Sequence, residues 1–291
     1  MMHPAPTDEQ VRLLLAKFGL EDGVVGSSPY EGAANYVRLV GPWCVRVLKD
    51  EAFADDVRRE AIVVPAVRAA GVATPELVGF DDSREIVPGL VTLYRRLDGM
   101  PLGLIDQAIN REAIARQLGE QILRWRFDVK DLDLPRQQGQ RAKACYLRAK
   151  TRLSPAECAW VESALERLAA TTDVPDEFVH NDLHRHNLMI LDDQLEAVID
   201  WGSAGFGDPA LNYHCLPMDW LPLLLPPDAD ANFVGRCLDY MLGYALNDIH
   251  RQARGGPNSH TGHLRWQALL RFTNLGLRDD WRYWLQDAPV N

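Results

Sequence analysis

The chain has 291 residues, of which 47% are hydrophobic and 25% charged, and its formal net charge is −10. This length suits one bilobal unit, and the composition is that of a soluble globular protein without the ~18-residue apolar run of a spanning helix. The acidity argues against nucleic acid as a partner and suits a cationic small molecule. The 5 scattered cysteines and the absence of a secretory signal pattern predict reduced thiols, a cytoplasmic location and no membrane association.

The first third of the sequence predicts a small, mostly β-stranded lobe. Thr7 caps an amphipathic helix that Gly19 closes. Alternating residues then predict strands within 26–40 and over 43–48, joined by a turn at 41–42. The remaining predicted elements are a helix over 53–70 ended by Gly71, with Pro65 inside it, and strands over 77–80 and 91–94.

After Pro101 the pattern becomes helical. Helices are predicted over 109–127 and 154–170, the second with Ser154 and Glu157 as a capping box. A hairpin over 188–199 follows, and residues from 211 onward are again mostly helical. We therefore expect a nucleotide-binding N-lobe over 1–96 and a C-lobe over 97–291 that holds the catalytic loop and the acceptor-binding helices.

The segment from His180 to Asn187 has the pattern H-x-D-x-x-x-x-N, and Asp200-Trp201-Gly202 begins thirteen residues after Asn187. The pattern supplies Asp182 to take a hydroxyl proton, and Asn187 and Asp200 as hard oxygen ligands for Mg²⁺. We expect His180 to brace the loop through hydrogen bonds. A simpler explanation is a loop aspartate that caps a helix, and the downstream Asp-Trp-Gly argues against it.

His184 and His186 form an H-x-H pair, which raises the alternative of a metal-dependent hydrolase. Such an enzyme needs further ligands downstream, and the histidines that follow lack ligand-like grouping. The pattern therefore favours phosphoryl transfer with magnesium over hydrolysis with zinc.

Lys49 ends a predicted strand, a position from which a lysine reaches the α- and β-phosphates of a nucleotide. Glu60 lies eleven residues on, in the next predicted helix, and we expect it to hold Lys49 as an ion pair. The alternative is an exposed strand-end lysine and a solvated helix face. A phosphate-binding loop is predicted from small residues whose backbone N–H groups can approach phosphate, namely Gly32, Ala33, Ala34 and Asn35.

With these residues the chain resembles the aminoglycoside phosphotransferase and choline kinase family, from about Ser27 to Tyr213. The motifs that carry the resemblance are Phe178 to Asp182, Ile199 to Trp201, and Gly207-Asp208-Pro209. The resemblance implies an α+β, protein-kinase-like bilobal fold with ATP and Mg²⁺ as cofactors. It assigns the phosphates to Lys49, Glu60 and the loop of small residues, the base to Asp182, and magnesium to Asn187 and Asp200. It also implies that adenine bonds to the backbone of a hinge over Tyr94, Arg95, Arg96 and Leu97.

Three positions depart from the family pattern. Asn181 stands where many antibiotic-modifying members have glycine, and Asn212 where an aspartate is usual. Gly202 replaces the frequent acidic residue after Asp-Trp. The catalytic set is intact, so these departures bear on the subfamily and not on the chemistry.

The C-terminal part predicts the acceptor. Its aspartates could bind a polycation through charge-assisted hydrogen bonds, and its aromatic faces could attract a quaternary ammonium group. These aspartates are Asp219, Asp228, Asp230, Asp239, Asp248, Asp279 and Asp280, and the aromatic residues are Trp220, Trp266, Trp281, Tyr283 and Trp284. The simpler explanation is that the aromatic residues form core and the aspartates face water.

Three functions remain open from the sequence. The first is an ATP-dependent O-phosphotransferase that modifies an aminoglycoside-like antibiotic and so confers resistance. The second is a metabolite kinase for choline, ethanolamine, homoserine, thiamine or a sugar. The third is a nucleotide-binding module without turnover, against which the presence of Lys49, Asp182, Asn187 and Asp200 speaks.

Overall fold

A computed structural model describes residues 2–21, 23–27, 32, 34–106, 108–130, 132–168, 176–216, 220–225 and 229–252. The chain forms two compact units. The first unit comprises Met1–Ala108, Asp128–Leu134 and His186–Ala204, and the second comprises Ile109–Phe127, Pro135–Arg185 and Gly205–Asn291. The chain returns to the first unit with residues 186–204, which carry Asn187 and Asp200. The predicted division into lobes at residues 96 and 97 stays a prediction.

The described strands and helices make an α+β fold, as predicted. The strands are β1 (Val25–Ser27), β2 (Asn35–Val40), β3 (Trp43–Leu48), β4 (Leu77–Asp81), β5 (Val91–Arg95), β6 (Met100–Pro101), β7 (Glu177–Val179), β8 (Leu188–Leu191), β9 (Gln194–Val198) and β10 (Gly205–Gly207). The helices are α1 (Asp8–Lys17), α2 (Ala54–Ala69), α3 (Arg111–Asp128), α4 (Ala142–Ala149), α5 (Pro155–Leu168), α6 (Leu221–Leu224) and α7 (Ala231–Gln252). Within these ranges no helix is both long enough and apolar enough to cross a membrane.

The first unit is built on an antiparallel sheet with the strand order β1-β2-β3-β5-β4. Thr7 caps α1, as predicted, and the structure adds a capping box with Gln10. Pro65 is accommodated inside α2. Side chains alternate between the two faces of a strand, and β3 shows the consequence. Val45 and Val47 join a buried cluster with residues of α1, whereas Leu48 packs with residues of α2.

A second, three-stranded sheet of the first unit has the order β6-β8-β9. The predicted hairpin over 188–199 is confirmed as β8 and β9, and its turn is at Asp192 and Asp193. Both turn residues have positive φ angles, 49° and 59°, as a type I′ hairpin turn requires. The short strand β6 pairs with β8, so the chain that leaves the first sheet runs directly onto this hairpin.

The second unit contains α3, α4, α5 and α7, with Trp125, Phe178 and Tyr213 among its fully buried side chains. Its short strands β7 and β10 pair antiparallel. The two strands were not predicted, because three-residue strands are too short to show a period of two. The eight-residue helix α4 was not predicted either. The β7–β10 pair ends directly before the motif that begins at His180.

Candidate active site

Arg46 and Glu60 form the best-buried ion pair of the predicted nucleotide site. The Nη1 atom of Arg46 donates to Oε1 of Glu60 at 2.7 Å, and the two side chains are only 18% and 4% exposed. The other guanidinium nitrogen, Nη2, lies 3.9 Å from Oδ1 of Asp200. The ring of Tyr94 lies 5.8 Å from the Arg46 guanidinium carbon. The arginine is therefore held between α2, β5 and the Asp-Trp-Gly segment.

The predicted ion pair between Lys49 and Glu60 is wrong. Residues 46 and 48 of β3 point toward α2, so the cation that reaches Glu60 is Arg46. Lys49 lies past the strand end and donates from Nζ to the carbonyl oxygen of Gly32 at 2.8 Å. Its ammonium group also lies 5.0 Å from the centre of the Tyr36 ring. Lys49 thus contacts the predicted phosphate loop and not the helix.

The predicted phosphate loop is described in part. Ala33 lies outside the described residues. The carbonyl oxygen of Ala34 accepts the backbone N–H of Lys49 at 2.7 Å, and Asn35 is buried at the start of β2. The end of β3 is therefore tied to this loop through both the backbone and the side chain of Lys49.

Electrostatics keep the Arg46 group charged. Burial disfavours the charge of Arg46, but the carboxylates of Glu60 and Asp200 and the neighbouring Tyr94 raise its pKa above the usual value. Burial also raises the pKa of Glu60, with Asp200 acting in the same direction and Arg46 against it. An anion beside Arg46 would meet a fixed, desolvated positive charge.

Asp200 sits in a strained backbone position at the end of the hairpin. Its φ and ψ angles are 67° and 62°, in the left-handed region that few non-glycine residues adopt. The next residue, Trp201, is fully buried and its indole N–H donates to Thr74 Oγ1 and to the Val198 carbonyl. This anchor turns the Asp200 carboxylate outward, where it is 49% exposed.

Gly202 follows because the space for a side chain is taken. A Cβ atom at this position would lie 2.9 Å from the Cβ atom of Asp56 on α2. The Gly202 carbonyl oxygen accepts a short hydrogen bond from Arg59 of the same helix. Helix α2 packs so closely on the Asp-Trp-Gly segment that the acidic side chain frequent in the family would not fit at position 202.

A backbone hydrogen bond links the segment that carries Asn187 to the segment that carries Asp200. The N–H of Ile199 donates to the Asn187 carbonyl oxygen at 3.0 Å, and Asn187 itself is buried. An amide oxygen and a partly exposed carboxylate are the hard oxygen ligands that Mg²⁺ takes. The chemistry of these two side chains fits the predicted metal.

The predicted hinge is fixed by hydrogen bonds at both ends. Tyr94 and Arg95 belong to β5, where the N–H of Arg95 donates to the Glu76 carbonyl at 2.9 Å. The N–H of Arg96 donates to the Pro42 carbonyl at 2.8 Å. Further along, the amides of Asp98 and Gly99 donate to the two carboxylate oxygens of one side chain, which is Glu196.

Leu97 lies between these two anchored ends. Within the part of the chain that the structure describes, its N–H is the one amide of residues 95–99 without a hydrogen-bond acceptor. Buried or half-buried backbone donors are nearly always paired, so this N–H is available to a ligand.

The catalytic-loop motif lies in the second unit up to Arg185. The Oδ2 atom of Asp182 is 3.7 Å from His184 Nε2, and the carboxylate is 41% exposed. Its backbone N–H donates to the ring nitrogen Nδ1 of the fully buried His180 at 3.3 Å. The prediction that His180 braces the loop by hydrogen bonding is confirmed.

The family's glycine position before Asp182 has a conformational reason. Asn181 adopts a φ of 62°, and its side-chain amide donates to Gln137 Oε1 at 3.0 Å. Glycine and asparagine are the residues that tolerate this left-handed backbone best. Either residue can therefore place the aspartate that follows.

Asn212, where an aspartate is usual, accepts two hydrogen bonds inside the second unit. Its Oδ1 atom accepts the indole N–H of Trp125 at 3.2 Å and the backbone N–H of His180 at 2.9 Å. Both contacts need only an acceptor oxygen, which asparagine supplies. Sequence reasoning noted the position but not its role, and it missed Arg46 and Glu196 altogether. The two-residue period of β3 was the signal that could have found Arg46.

The described acceptor candidates have intramolecular roles. Asp230 accepts the backbone N–H of Phe233 at the start of α7, and Asp239 pairs with Arg141 at 2.7 Å. Asp248 and Trp220 are buried. The remaining candidates lie outside the described residues: Asp219, Asp228, Trp266, Asp279, Asp280, Trp281, Tyr283 and Trp284.

The H-x-H alternative gains no support from the described ranges, in which no three His, Cys, Asp or Glu side chains are grouped so as to hold a metal ion.

The sheet with its buried arginine–glutamate pair, the H-x-D loop and the Asp-Trp-Gly segment are the sequence and structural features that a protein-kinase-like fold carries. A family model described as "Phosphotransferase enzyme family" (APH) matches residues 28–236. The chain belongs to this family. No curated protein matches it by sequence.

Solved structures show the same fold at low identity. The GDP complex of wild-type aminoglycoside 2′-phosphotransferase-IIIa is 17% identical, with a TM-score of 0.64 over 89% of this chain and 97% of that one. A choline/ethanolamine kinase family protein from Mesorhizobium loti is 16% identical, with a TM-score of 0.62 over 95% and 98%. Aminoglycoside phosphotransferase APH(4)-Ia is 19% identical, with a TM-score of 0.58 over 91% and 99%. A thermostable mutant of the last protein was solved in a ternary complex with AMP-PNP and hygromycin B.

Proposed function

We propose that the protein transfers the γ-phosphoryl group of ATP to a hydroxyl group of a small, cationic molecule in a magnesium-dependent reaction. The observation that carries the proposal is the buried Arg46–Glu60 pair, in which the second guanidinium nitrogen of Arg46 lies 3.9 Å from the Asp200 carboxylate. A desolvated cation next to a carboxylate is the arrangement that a nucleotide phosphate and its metal require.

In this proposal Arg46 takes the phosphate-anchoring role that the sequence suggested for Lys49. A guanidinium group has five donors, so Arg46 can keep its bond to Glu60 and still bind an α- or β-phosphate oxygen. Lys49, Gly32, Ala34 and Asn35 remain candidates for contacts at the outer phosphates, as does Ala33.

Asn187 and Asp200 would hold the magnesium ion. When bound, the ion neutralises phosphate charge that develops as the phosphoryl group moves. The buried Trp201 anchors the backbone beside Asp200, and the bond from the Ile199 N–H to the Asn187 carbonyl ties the two segments that carry these ligands.

Asp182 would act as the base. The acceptor oxygen attacks the γ-phosphorus while the bond from that phosphorus to the β–γ bridging oxygen breaks and ADP leaves. The hydroxyl proton passes to the Asp182 carboxylate. The ring nitrogen Nε2 of His184 lies 3.7 Å from the same carboxylate.

Two acceptor classes deserve direct comparison. Relatives of the same fold were solved with kanamycin or hygromycin B, which supports an aminoglycoside-like acceptor as the first choice and antibiotic resistance as the role. The intramolecular roles of Asp230 and Asp239, and the likeness to a choline/ethanolamine kinase family protein, support a metabolite kinase as the alternative.

A coupled assay of ADP release with MgATP tests the proposal. The panel contains aminoglycosides, choline, ethanolamine, homoserine, thiamine and simple sugars, with water alone as the blank. Acceptor-dependent ADP release with phosphate on the acceptor by mass spectrometry is expected. ATP binding without turnover on the whole panel would favour the non-catalytic module instead.

A further inference from the structure

We propose that Glu196 is a positioning residue for purine binding: its carboxylate holds the hinge so that the Leu97 N–H faces the nucleotide base. The inference rests on the proposed nucleotide site and deepens it, because it names the side chain that fixes the site's backbone donor.

The contact itself is a two-point clamp. The amide of Asp98 donates to Glu196 Oε1 at 3.0 Å, and the amide of Gly99 donates to Oε2 at 2.8 Å. Bonds from amides to a carboxylate are charge-assisted and stronger than bonds between neutral groups. Two such bonds from consecutive residues fix both the position and the rotation of the peptide planes.

The Glu196 carboxylate and the β8–β9 hairpin lie so close to Gly99 that no side chain fits at this position. A Cβ atom there would meet the carbonyl oxygen of Ile190 and would lie 2.6 Å from Glu196 Oε2. A residue with a side chain would push the hinge off the β8–β9 hairpin. The contact of Glu196 with the hinge therefore depends on the absence of a side chain at Gly99.

The clamp explains why one donor is left for a ligand. Arg95 and Arg96 direct their amides to the Glu76 and Pro42 carbonyls on the first sheet, and Asp98 and Gly99 direct theirs to Glu196. Among the described residues the intervening Leu97 amide has no acceptor. A purine ring nitrogen is an acceptor of the right kind, whereas a triphosphate without a base cannot use this donor.

The decisive experiment compares Glu196→Gln with wild type, using Glu76→Gln as the matched control. Glu76 contacts the same hinge through the side chain of Arg95, at 3.3 Å, and not through a hinge amide. Calorimetry measures the Kd of MgATP and of magnesium tripolyphosphate, which lacks the base. Glutamine keeps one acceptor oxygen but turns an NH₂ donor toward the other amide.

We expect Glu196→Gln to weaken ATP binding about 3- to 10-fold, the effect of about one hydrogen bond, and to leave tripolyphosphate binding unchanged. In the acceptor assay the KM for ATP should rise by the same factor, with kcat at saturating ATP kept. Glu196→Asp should recover part of the loss, and Glu76→Gln should match wild type for both ligands. Equal losses for ATP and tripolyphosphate, or no loss for ATP, would overturn the inference.

A measurement on the wild type covers the case of a variant that does not fold. Amide exchange by NMR should be slow at Asp98 and Gly99 and fast at Leu97, and ATP should slow exchange at Leu97. Fast exchange at all three amides would contradict the clamp. ATP binding without phosphoryl transfer would instead defeat the proposed function and leave the clamp standing.

Discussion

Arg46 and Glu60 join the third strand of the first sheet to the helix that follows it, through a 2.7 Å contact that is almost closed to solvent. The contact makes Arg46, and not the neighbouring Lys49, the cation whose loss should damage nucleotide binding most.

Replacing Arg46 with alanine should raise the Kd for MgATP about 10- to 100-fold, the cost of losing a charge-assisted hydrogen bond. Lys49→Ala should change it by less than about 3-fold, because its ammonium group is bonded to the Gly32 carbonyl. Arg58→Ala is the control, since that arginine lies on the exposed side of α2 beside Asp55. Calorimetric titration measures the Kd for MgATP of each variant. If Lys49→Ala raises this Kd more than Arg46→Ala does, the lysine and not the arginine anchors the phosphates.

Asp182→Ala should lower kcat about 10²- to 10⁴-fold, the usual contribution of a positioned base. The Kd for MgATP should stay near the wild-type value, because the carboxylate acts on the acceptor hydroxyl. Asp192→Asn, in the exposed hairpin turn, removes a carboxylate and keeps a residue type that tolerates the φ of 49° at this position, so it provides the control. Near-normal turnover by the Asp182→Ala enzyme would remove the assigned base.

Asp200→Ala should affect binding more than Asp182→Ala does. It removes the half-exposed carboxylate assigned to magnesium, so the gain in ATP affinity that magnesium brings should shrink at least about 10-fold. Titrating ATP with and without Mg²⁺ measures that gain directly. An unchanged magnesium effect would mean that the ion is held elsewhere.

Asn212→Leu should destabilise the second unit by about 1–3 kcal/mol for each of the two donors that lose their shared acceptor. Trp125→Phe removes only the indole donor and should cost less than Asn212→Leu, although it also reduces packing. Urea unfolding of both variants, with kcat on the folded enzyme, tests this order. Equal stability of Asn212→Leu and wild type would show that the His180 backbone does not depend on this side chain.

The stability of the first unit should depend on pH through Glu51. Hydrogen bonds from Arg84 and His3 lower the pKa of Glu51 from its ordinary value of 4.5 to about 2. Because the folded state favours the carboxylate, its stabilisation is present above pH 4.5 and is lost as the pH falls toward 2. The difference in unfolding midpoint between wild type and Glu51→Gln should therefore shrink over that range.

The control for this pH series is Glu120→Gln on an exposed position of α3, which should follow wild type throughout. A constant difference between wild type and Glu51→Gln from pH 7 to 3 would contradict the assignment.

Long periodic elements and turn residues made most of the first unit predictable. The Thr7 cap of α1, the turns at Gly41 and Gly71, and the 188–199 hairpin follow from local rules that the tertiary structure respects. The motif spacing also predicted the family, because its chemistry needs those residue types in that order.

The errors have physical causes. Lys49 was preferred over Arg46 because a lysine at a strand end matches a common pattern, whereas the faces of β3 assign Arg46 to the α2 side. Glu196 was missed because its partners, at residues 98 and 99, are backbone amides almost a hundred positions away, and backbone groups leave no mark in a sequence. Asn212 was missed as a brace for a similar reason, since one of its partners is the backbone of His180.

Strand β9 carries the hinge clamp at Glu196 near its middle, and Asp200 follows two residues after its end. Extended chain rises about 3.3 Å per residue, so the four residues span at most about 13 Å between the backbone positions of Glu196 and Asp200. If the adenine ring binds at the hinge beside Glu196 and the phosphates bind beside Asp200, the length of this segment sets the length of nucleotide that fits. Inserting or deleting a single residue at 197–199 would change the distance between Glu196 and Asp200. It would also turn one of the two carboxylates to the opposite face of the strand.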